Sequence, residues 1–334
     1  MRVALTGATG SLGRAIIARL AQDGADRIVG CSRDEHKRAQ LQAEFSWHPH
    51  VRIFAGDIRD ERRLVDLFAG CECVVHCAAR KIVSGHFDEP REMVATNLLG
   101  TMNVLQAARS AGVRKLLFIS SDKAVHANNP QPYGLSKALA ETLVISENAR
   151  CFAAGLRCGV LRYGNVLSSN GSVVKVWRAL AVRGEPLPIS DRRMTRFWLT
   201  LDQAVTYVLR AIGDLRGGEI FVPWLKAAPV TRLLEAVAPQ AETTEIGIRP
   251  GGEKLHETLV SEDEIRRARR RNDWIIVPPT DTSELWDRSS WLGELVPADF
   301  RYHSKTWPEQ WTVEELREAL GITQSEFVAS SETS

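Results

Sequence analysis

The sequence predicts an α/β fold, a doubly wound parallel sheet with a smaller C-terminal substrate-binding domain. Three observations carry that reading. Short apolar runs alternate with segments of helical periodicity through the first half of the chain. Those runs are near-continuous rather than alternating, as parallel strands covered on both faces should be. A glycine-rich turn, Thr6-Gly7-Ala8-Thr9-Gly10-Ser11-Leu12-Gly13, joins the first strand to the first helix.

The elements follow in order. Residues 2–6 read as a strand, and residues 12–23 as a helix with Leu12, Ala15, Ile16 and Leu20 on one face. A strand at 27–31 leads to a helix at 34–44. A strand at 51–54 ends in Gly56-Asp57 and precedes a helix at 61–68. Next come a strand at 73–77, a helix at 91–112, a strand at 115–120 and a helix at about 133–148. A strand at 159–163 closes the series. Residues 1–165, joined again by 197–223, are expected to form the first domain. Residues 166–196 and 224–320 are expected to form the smaller one, and the polar stretch 325–334 a frayed tail.

Composition narrows the class. The chain has 334 residues, 44% hydrophobic and 25% charged, with a net charge of +2. That is a globular composition without a field that would favour nucleic acid or membrane. No run of about 18 apolar residues suggests a membrane span. The opening strand is too short and too early for a signal peptide, which predicts a cytoplasmic protein. Cys71, Cys73 and Cys77 read as small core residues of a buried strand, not as a zinc site. The arginines between Arg266 and Arg271 read as a solvated helix face offset by Glu262, Asp263 and Glu264.

The glycine turn has a chemical meaning. Its glycines allow a tight turn, close approach to a pyrophosphate and packing of helix on sheet. The helix N-terminus then points N–H groups at the phosphates. A turn of this kind between a first strand and a first helix predicts a Rossmann domain that binds a dinucleotide. The end of the second strand, Cys31-Ser32-Arg33, lacks the acidic residue that would hold the ribose 2′-hydroxyl of NAD. Ser32 and Arg33 suit a 2′-phosphate, so the predicted cofactor is NADP. Further along, Tyr133 and Lys137 stand one helical turn apart and face the same way. An ammonium near a phenol favours the phenolate, making Tyr133 a candidate acid/base.

These motifs resemble the extended short-chain dehydrogenase/reductase superfamily. The resemblance implies that Ser121 completes a triad with Tyr133 and Lys137, and that Lys137 also holds the nicotinamide ribose. It narrows at Ser121-Asp122-Lys123, at Arg162-Tyr163-Gly164-Asn165-Val166 and at Asp191 through Trp198. It continues at Gly217 through Pro223, at Gly247-Ile248-Arg249-Pro250 and at Glu253-Lys254-Leu255-His256-Glu257. Across about Val3 to Leu320 the chain is similar to the inverting UDP-N-acetylglucosamine 4,6-dehydratases of pseudaminic acid synthesis.

That resemblance implies a reaction in which hydride leaves sugar carbon 4 and returns to carbon 6, so the cofactor is recycled. Tyr133 takes the hydroxyl proton, Asp122 is the acid at carbon 6 and Lys123 the base at carbon 5. Lysine must be neutral for that, and desolvation would push it that way. The implied cofactor contacts are Gly7, Thr9, Gly10, Ser11, Leu12, Gly13, Ser32, Arg33, Lys37, Asp57, Ile58, Ala78, Ala79, Lys81, Tyr133, Lys137 and Val166. The implied UDP-sugar contacts are Lys81, Asn97, Asn165, Val173, Ser190, Arg196, Arg249 and Glu253. No metal is implied. The superfamily tends to form homo-oligomers, dimers or hexamers.

Three departures bear on the sugar accepted: the longer stretch 126–132, the extra glycine at Gly251-Gly252, and Lys175 where proline is usual. Two other readings stay open. One is a retaining dehydratase or an epimerase on a related UDP-sugar. The other is a non-catalytic NADP-sensing protein, which would have no need of Tyr133, Lys137, Asp122 and Lys123.

Overall fold

The structure is a computed structural model that describes residues 1–81, 90–125, 132–169, 171–249, 253–280 and 293–322. Its centre is a ten-stranded sheet. In chain order the first elements are β1 (Arg2–Thr6), α1 (Ser11–Gln22), β2 (Arg27–Ser32), α2 (Glu35–Glu44), β3 (Val51–Ala55), α3 (Glu61–Phe68) and β4 (Cys73–His76). A short helix α4 (Pro90–Met93) passes through a π-helical turn (Val94–Leu99) into α5 (Gly100–Ser110). Then come β5 (Lys115–Ser121), α6 (Pro132–Cys151) and β6 (Arg157–Tyr163). Strands β1 to β6 lie side by side in the order β3-β2-β1-β4-β5-β6, each neighbouring pair parallel. The chain direction across the sheet reverses between β1 and β4, which opens a crevice at their carboxyl ends.

The remaining elements are β7 (Asn165–Val166), α7 (Val173–Val182), β8 (Leu187–Ile189), β9 (Thr195–Leu199), α8 (Leu201–Asp214), β10 (Ile220–Pro223), β11 (Ala227–Pro229) and α9 (Val230–Val237). They are followed by β12 (Thr243–Glu245), α10 (Glu262–Ile265), β13 (Arg269–Arg271), β14 (Trp274–Val277), β15 (Glu294–Leu295) and α11 (Val313–Leu320). Helix α8 starts at a Thr200–Gln203 capping box and gives Val205, Val208 and Ile212 to the main core. A second apolar cluster gathers Leu167, Trp177, Leu187, Trp198, Leu233, Trp311 and Leu316. It fills the smaller lobe, between the β7-β9-β11 and β8-β12 sheets and helices α7, α9 and α11.

Two expectations change. Residues 269–277 and 294–295 belong to the large sheet, not to the smaller lobe. Trp274–Val277 is a fully buried apolar run that pairs antiparallel with β10, and β13 pairs with it in turn. For the same reason Arg269–Arg271 is a strand and not a helix face. Asn272 takes the positive φ of 54° that the tight β13–β14 turn requires. The arginines are also engaged: Arg270 lies 3.9 Å over the Trp224 ring and Arg271 pairs with Asp214 at 3.4 Å. The expected tail 325–334 lies outside the described residues, as do residues 126–131 and 250–252.

A buried ion triad ties α6, β6 and α10 together. Arg162 donates to Glu141 at 2.5 and 3.0 Å and to Glu264 at 2.8 and 2.9 Å. Burial would raise the Glu264 carboxyl, but Arg162 overrides it and holds that carboxyl down at about 2. A depressed folded-state pKa gives stability that is present above the ordinary value and is lost as pH falls through the folded one. Stability should therefore drop between about pH 4.5 and pH 2 as Glu264 protonates. Glu264→Gln should cost about 2 kcal/mol at neutral pH and flatten that part of the acid dependence. Urea unfolding followed across the pH range checks both.

Candidate active site

The glycine turn sits at the crevice between β1 and β4. Gly7 has φ +69°, and a Cβ there would stand 2.8 Å from the Ala78 nitrogen. The turn after β1 and the segment after β4 therefore touch, which brings Gly7 and Ala78 together as expected. A Cβ at Gly13 would stand 2.5 Å from the Gly7 carbonyl oxygen, so this glycine lets α1 close on the turn. Gly10 is the N-cap residue of α1 and supplies no side-chain cap, so it leaves the first-turn N–H groups of the helix uncapped by its own side chain. That is the donor set a pyrophosphate needs, and the residues present fit a dinucleotide.

The adenosine end is marked by a hydroxyl pair, Thr9 Oγ1 to Ser32 Oγ at 2.7 Å. Asp34 does not face this corner as a ribose ligand. Its carboxylate accepts from the Lys37 backbone N–H to cap α2, and it pairs with the Lys37 ammonium at 3.1 Å. Arg33 is half-exposed, 3.9 Å from Asp57, which Arg59 grips at 2.8 Å. Ile58, expected at adenine, turns its side chain into the core. It is 5% exposed and packs on Gly100, where a Cβ would meet it at 2.6 Å.

The acid/base residues cluster at the end of β5. Ser121 Oγ donates to Asp122 Oδ1 at 2.7 Å and accepts from the Lys123 backbone N–H at 3.3 Å. Lys123 Nζ lies 3.0 Å from both Asp122 oxygens and 3.2 Å from Asn165 Oδ1. It also lies 2.9 Å from Glu257 Oε1. Burial pushes the Asp122 carboxyl above its ordinary range; Lys123 pulls it back, and Glu257 pushes it further up.

Lys123 differs from the expectation that desolvation would neutralise it. Burial does act in that direction, but Asp122 and Glu257 outweigh it and raise the ammonium above its ordinary value. The resting Lys123 is therefore charged.

Tyr133 and Lys137 also differ from expectation. Burial raises the Tyr133 phenol, and the Asp122 charge raises it further against a lowering hydrogen bond with Ser121. The resting residue is a phenol. Lys137 Nζ donates instead to the Ile119 carbonyl at 2.5 Å and lies 3.9 Å from the Phe118 ring centroid. Burial lowers this ammonium to about 7, with Glu141 and Cys77 opposing.

The expected sugar contacts divide. Asn165 reaches the Lys123 cluster. Arg249, Glu253 and Ser190 meet one another: Arg249 pairs with Glu253. Burial would raise Glu253, but hydrogen bonds from Arg249 and Ser190 hold it at about 2. Val173 begins α7, and Lys81 has its ammonium lowered by burial and by Lys175.

Asn97 and Arg196 are buried and bonded to other groups of the protein. Asn97 is 2% exposed; it bonds Arg80 N at 2.7 Å, Arg80 O at 3.0 Å and Ser136 Oγ at 2.9 Å. It braces the cleft wall. Arg196 is 5% exposed, donating to Thr195 O at 2.8 Å and Leu255 O at 3.1 Å.

Glu257 is the residue the sequence reading left without a role. It is fully buried and sits among Lys123, Arg196 at 3.8 Å and Lys254 at 3.6 Å. The only signal for it was its place at the end of the Glu253–Glu257 motif. The closeness of the glycine turn makes its own prediction. Gly13→Ala should cost about 1–3 kcal/mol of stability by overpacking, seen in thermal unfolding, and should weaken dinucleotide binding measured by calorimetry.

Residues 3–279 match the family described as polysaccharide biosynthesis proteins. A UDP-N-acetylglucosamine 4,6-dehydratase (inverting) from Campylobacter jejuni is 34% identical over 330 residues, 96% of this chain and 98% of that one. A UDP-glucose 4-epimerase from Rickettsia rickettsii is 34% identical over 326 residues, 95% of this chain and 94% of that one. The X-ray structure of Pen from Bacillus thuringiensis matches with a TM-score of 0.86 at 30% identity, covering 96% of this chain and 98% of that chain. The chain belongs to the polysaccharide biosynthesis protein family, in the extended short-chain dehydrogenase/reductase superfamily, and resembles the inverting UDP-N-acetylglucosamine 4,6-dehydratases over nearly its whole length.

Proposed function

We propose that the protein is an NADP-dependent 4,6-dehydratase that acts on UDP-N-acetylglucosamine and inverts carbon 5. The observation that carries this reading is the buried Asp122–Lys123 pair, in contact through both carboxylate oxygens at 3.0 Å, beside Tyr133 and Ser121. Oxidation at carbon 4 alone needs only a group at the Tyr133 position. Elimination of water across carbons 5 and 6 needs a base and an acid side by side.

The dinucleotide would be held with its pyrophosphate on the Gly7 turn and the N-terminus of α1, and would supply reversible hydride transfer, from carbon 4 and back to carbon 6, together with a positive charge that favours a phenolate at Tyr133. Tyr133 then accepts the carbon-4 hydroxyl proton. At the pair, one proton moves from Lys123 Nζ to an Asp122 oxygen. This leaves a neutral amine and a carboxylic acid. The amine removes the carbon-5 proton, the acid protonates the departing carbon-6 hydroxyl, and water leaves. The pair ends that step as ammonium and carboxylate again. Hydride return to carbon 6 is completed by a proton delivered to carbon 5 on the face opposite Lys123, which gives the inversion. The proton that Tyr133 gained from carbon 4 balances it and restores the phenolate.

The nucleotide diphosphate is assigned to Arg249, whose forked donors suit a pyrophosphate, with Glu253, Ser190, Val173 and Lys81 around it. The smaller lobe is thus the substrate side. The 2′-phosphate of NADP is assigned to Ser32 and the half-exposed Arg33. A homo-oligomer is supported by exposed Leu99, Met102, Leu135 and Leu139, on the neighbouring π-helical turn, α5 and α6. No helix among the described residues is long and apolar enough to cross a membrane.

A UDP-sugar 4-epimerase is the second reading, favoured by the Rickettsia rickettsii relative. It would leave the Asp122–Lys123 pair without work. Proton NMR of the product from UDP-N-acetylglucosamine separates the two: a 4-keto-6-deoxy sugar is expected, and its absence overturns the dehydratase. Lys123→Ala should cut dehydration by about 10²–10⁴-fold while cofactor affinity, measured by calorimetry, holds. Arg33→Ala should lower the preference for NADP over NAD about tenfold, the loss of one charge-assisted contact, read as a ratio of dissociation constants.

A further inference from the structure

The cluster behind Asp122 and Lys123 extends further than the reaction proposed above uses. Glu257 is fully buried, as Asp122 is, and the reaction proposed above gives it no step. Its carboxylate nevertheless lies 2.9 Å from the Lys123 ammonium, which Asp122 also contacts at 3.0 Å. The groups facing Glu257 come from three directions. Lys123 comes from the turn after β5, Arg196 from β9 at 3.8 Å, and Lys254 from its own segment at 3.6 Å.

The backbone of Glu257 is fixed as well. Its N–H donates to Ser304 Oγ at 2.8 Å, and its carbonyl accepts from the Ser304 N–H at 2.8 Å. Lys254 donates to the Val125 carbonyl, just past Lys123. The segment that holds Glu253 is therefore bolted to the turn that holds the acid and base. Lys123 has its ammonium anchored by two carboxylates of different fates. Asp122 faces Ser121 and the Tyr133 side of the site, whereas Glu257 faces only cations and the interior.

We infer that Glu257 is a positioning residue: a sealed counter-ion that holds the Lys123 ammonium against Asp122 and sets how readily its proton crosses to that carboxylate. The inference rests on the dehydratase reading for its catalytic meaning. The cations Arg196 and Lys254 keep Glu257 itself ionised, although burial opposes this. A fixed negative charge 2.9 Å from Nζ strengthens the ammonium and, through space, the protonated form of Asp122. Removing that charge weakens both proton affinities. The Lys123 titration and the rising limb of the dehydration rate should then move to lower pH.

The test is a ¹³Cε-lysine NMR titration of the full chain without substrate, with the Lys123 signal assigned by its loss in Lys123→Met. Glu257→Gln should lower the Lys123 midpoint by about one pH unit or more. Glu257→Asp keeps the charge but draws it back by one methylene, and should lower the midpoint by less. An unmoved midpoint in Glu257→Gln overturns the inference. If that variant does not fold, an unmoved midpoint in Glu257→Asp overturns it instead. The pH profile of dehydration should shift in the same direction, which a merely structural loss would not cause. The two readings fail separately. A parent protein that yields no dehydrated sugar, yet shows the midpoint shift, overturns the dehydratase and supports the Glu257 assignment. Dehydration with an unmoved midpoint does the reverse.

Discussion

One ammonium, partly buried, ties the end of β5 to the segment that carries Glu257. Lys123 projects from the end of a sheet strand and is shared by Asp122 beside it and Glu257 across from it. An unpaired charge in that position would be costly, because burial removes its hydration. The two carboxylates together compensate that charge. Asp122 is supplied by the register of β5. Glu257 is supplied by a segment fastened to β9 and to Ser304. The crevice is thus closed by electrostatics as well as by apolar packing.

The same interaction reassigns the expected chemistry. Burial was the argument for a neutral Lys123, and burial does act that way. Two carboxylates within 3.0 Å act more strongly. Tyr133 shows the converse case. Its phenol gains no help from Lys137, which spends its charge on the Ile119 carbonyl and the Phe118 ring. In both places the sign of the effect follows from which partner stands within hydrogen-bond reach.

The Rossmann half was legible because its signals are local. Parallel strands buried on both faces must be apolar runs, and Gly7 and Gly13 stand where a Cβ would meet backbone. Each predicted element from 2 to 163 has its counterpart within a few residues. The long helix at 91–112 was legible except for its π-helical turn, which changes no apolar spacing over its short span. The strand at 269–271 was not legible. Three consecutive arginines carry no strand pattern, and only pairing with Trp274–Val277 makes them one. At the site, Ser121, Asp122 and Lys123 could be found because they adjoin one another in sequence. Glu257 could not, since its contact with Lys123 spans the whole intervening chain. The burial of Asn97 and Arg196 was not legible for a related reason: polarity in sequence does not reveal burial, and both bond backbone groups.

The arginine strand has a consequence for how molecules meet. An open sheet ends in rows of unpaired backbone groups to which a strand from another molecule could add. Among the described residues that side of the sheet ends in β15, two exposed residues long, laid against Arg269 and Arg270. A visiting strand finds almost no length to pair with, and a positive charge just behind it. The run of arginines thus acts as a guard against edge-to-edge aggregation, keeping a ten-stranded sheet from growing into an eleventh strand borrowed from a neighbour.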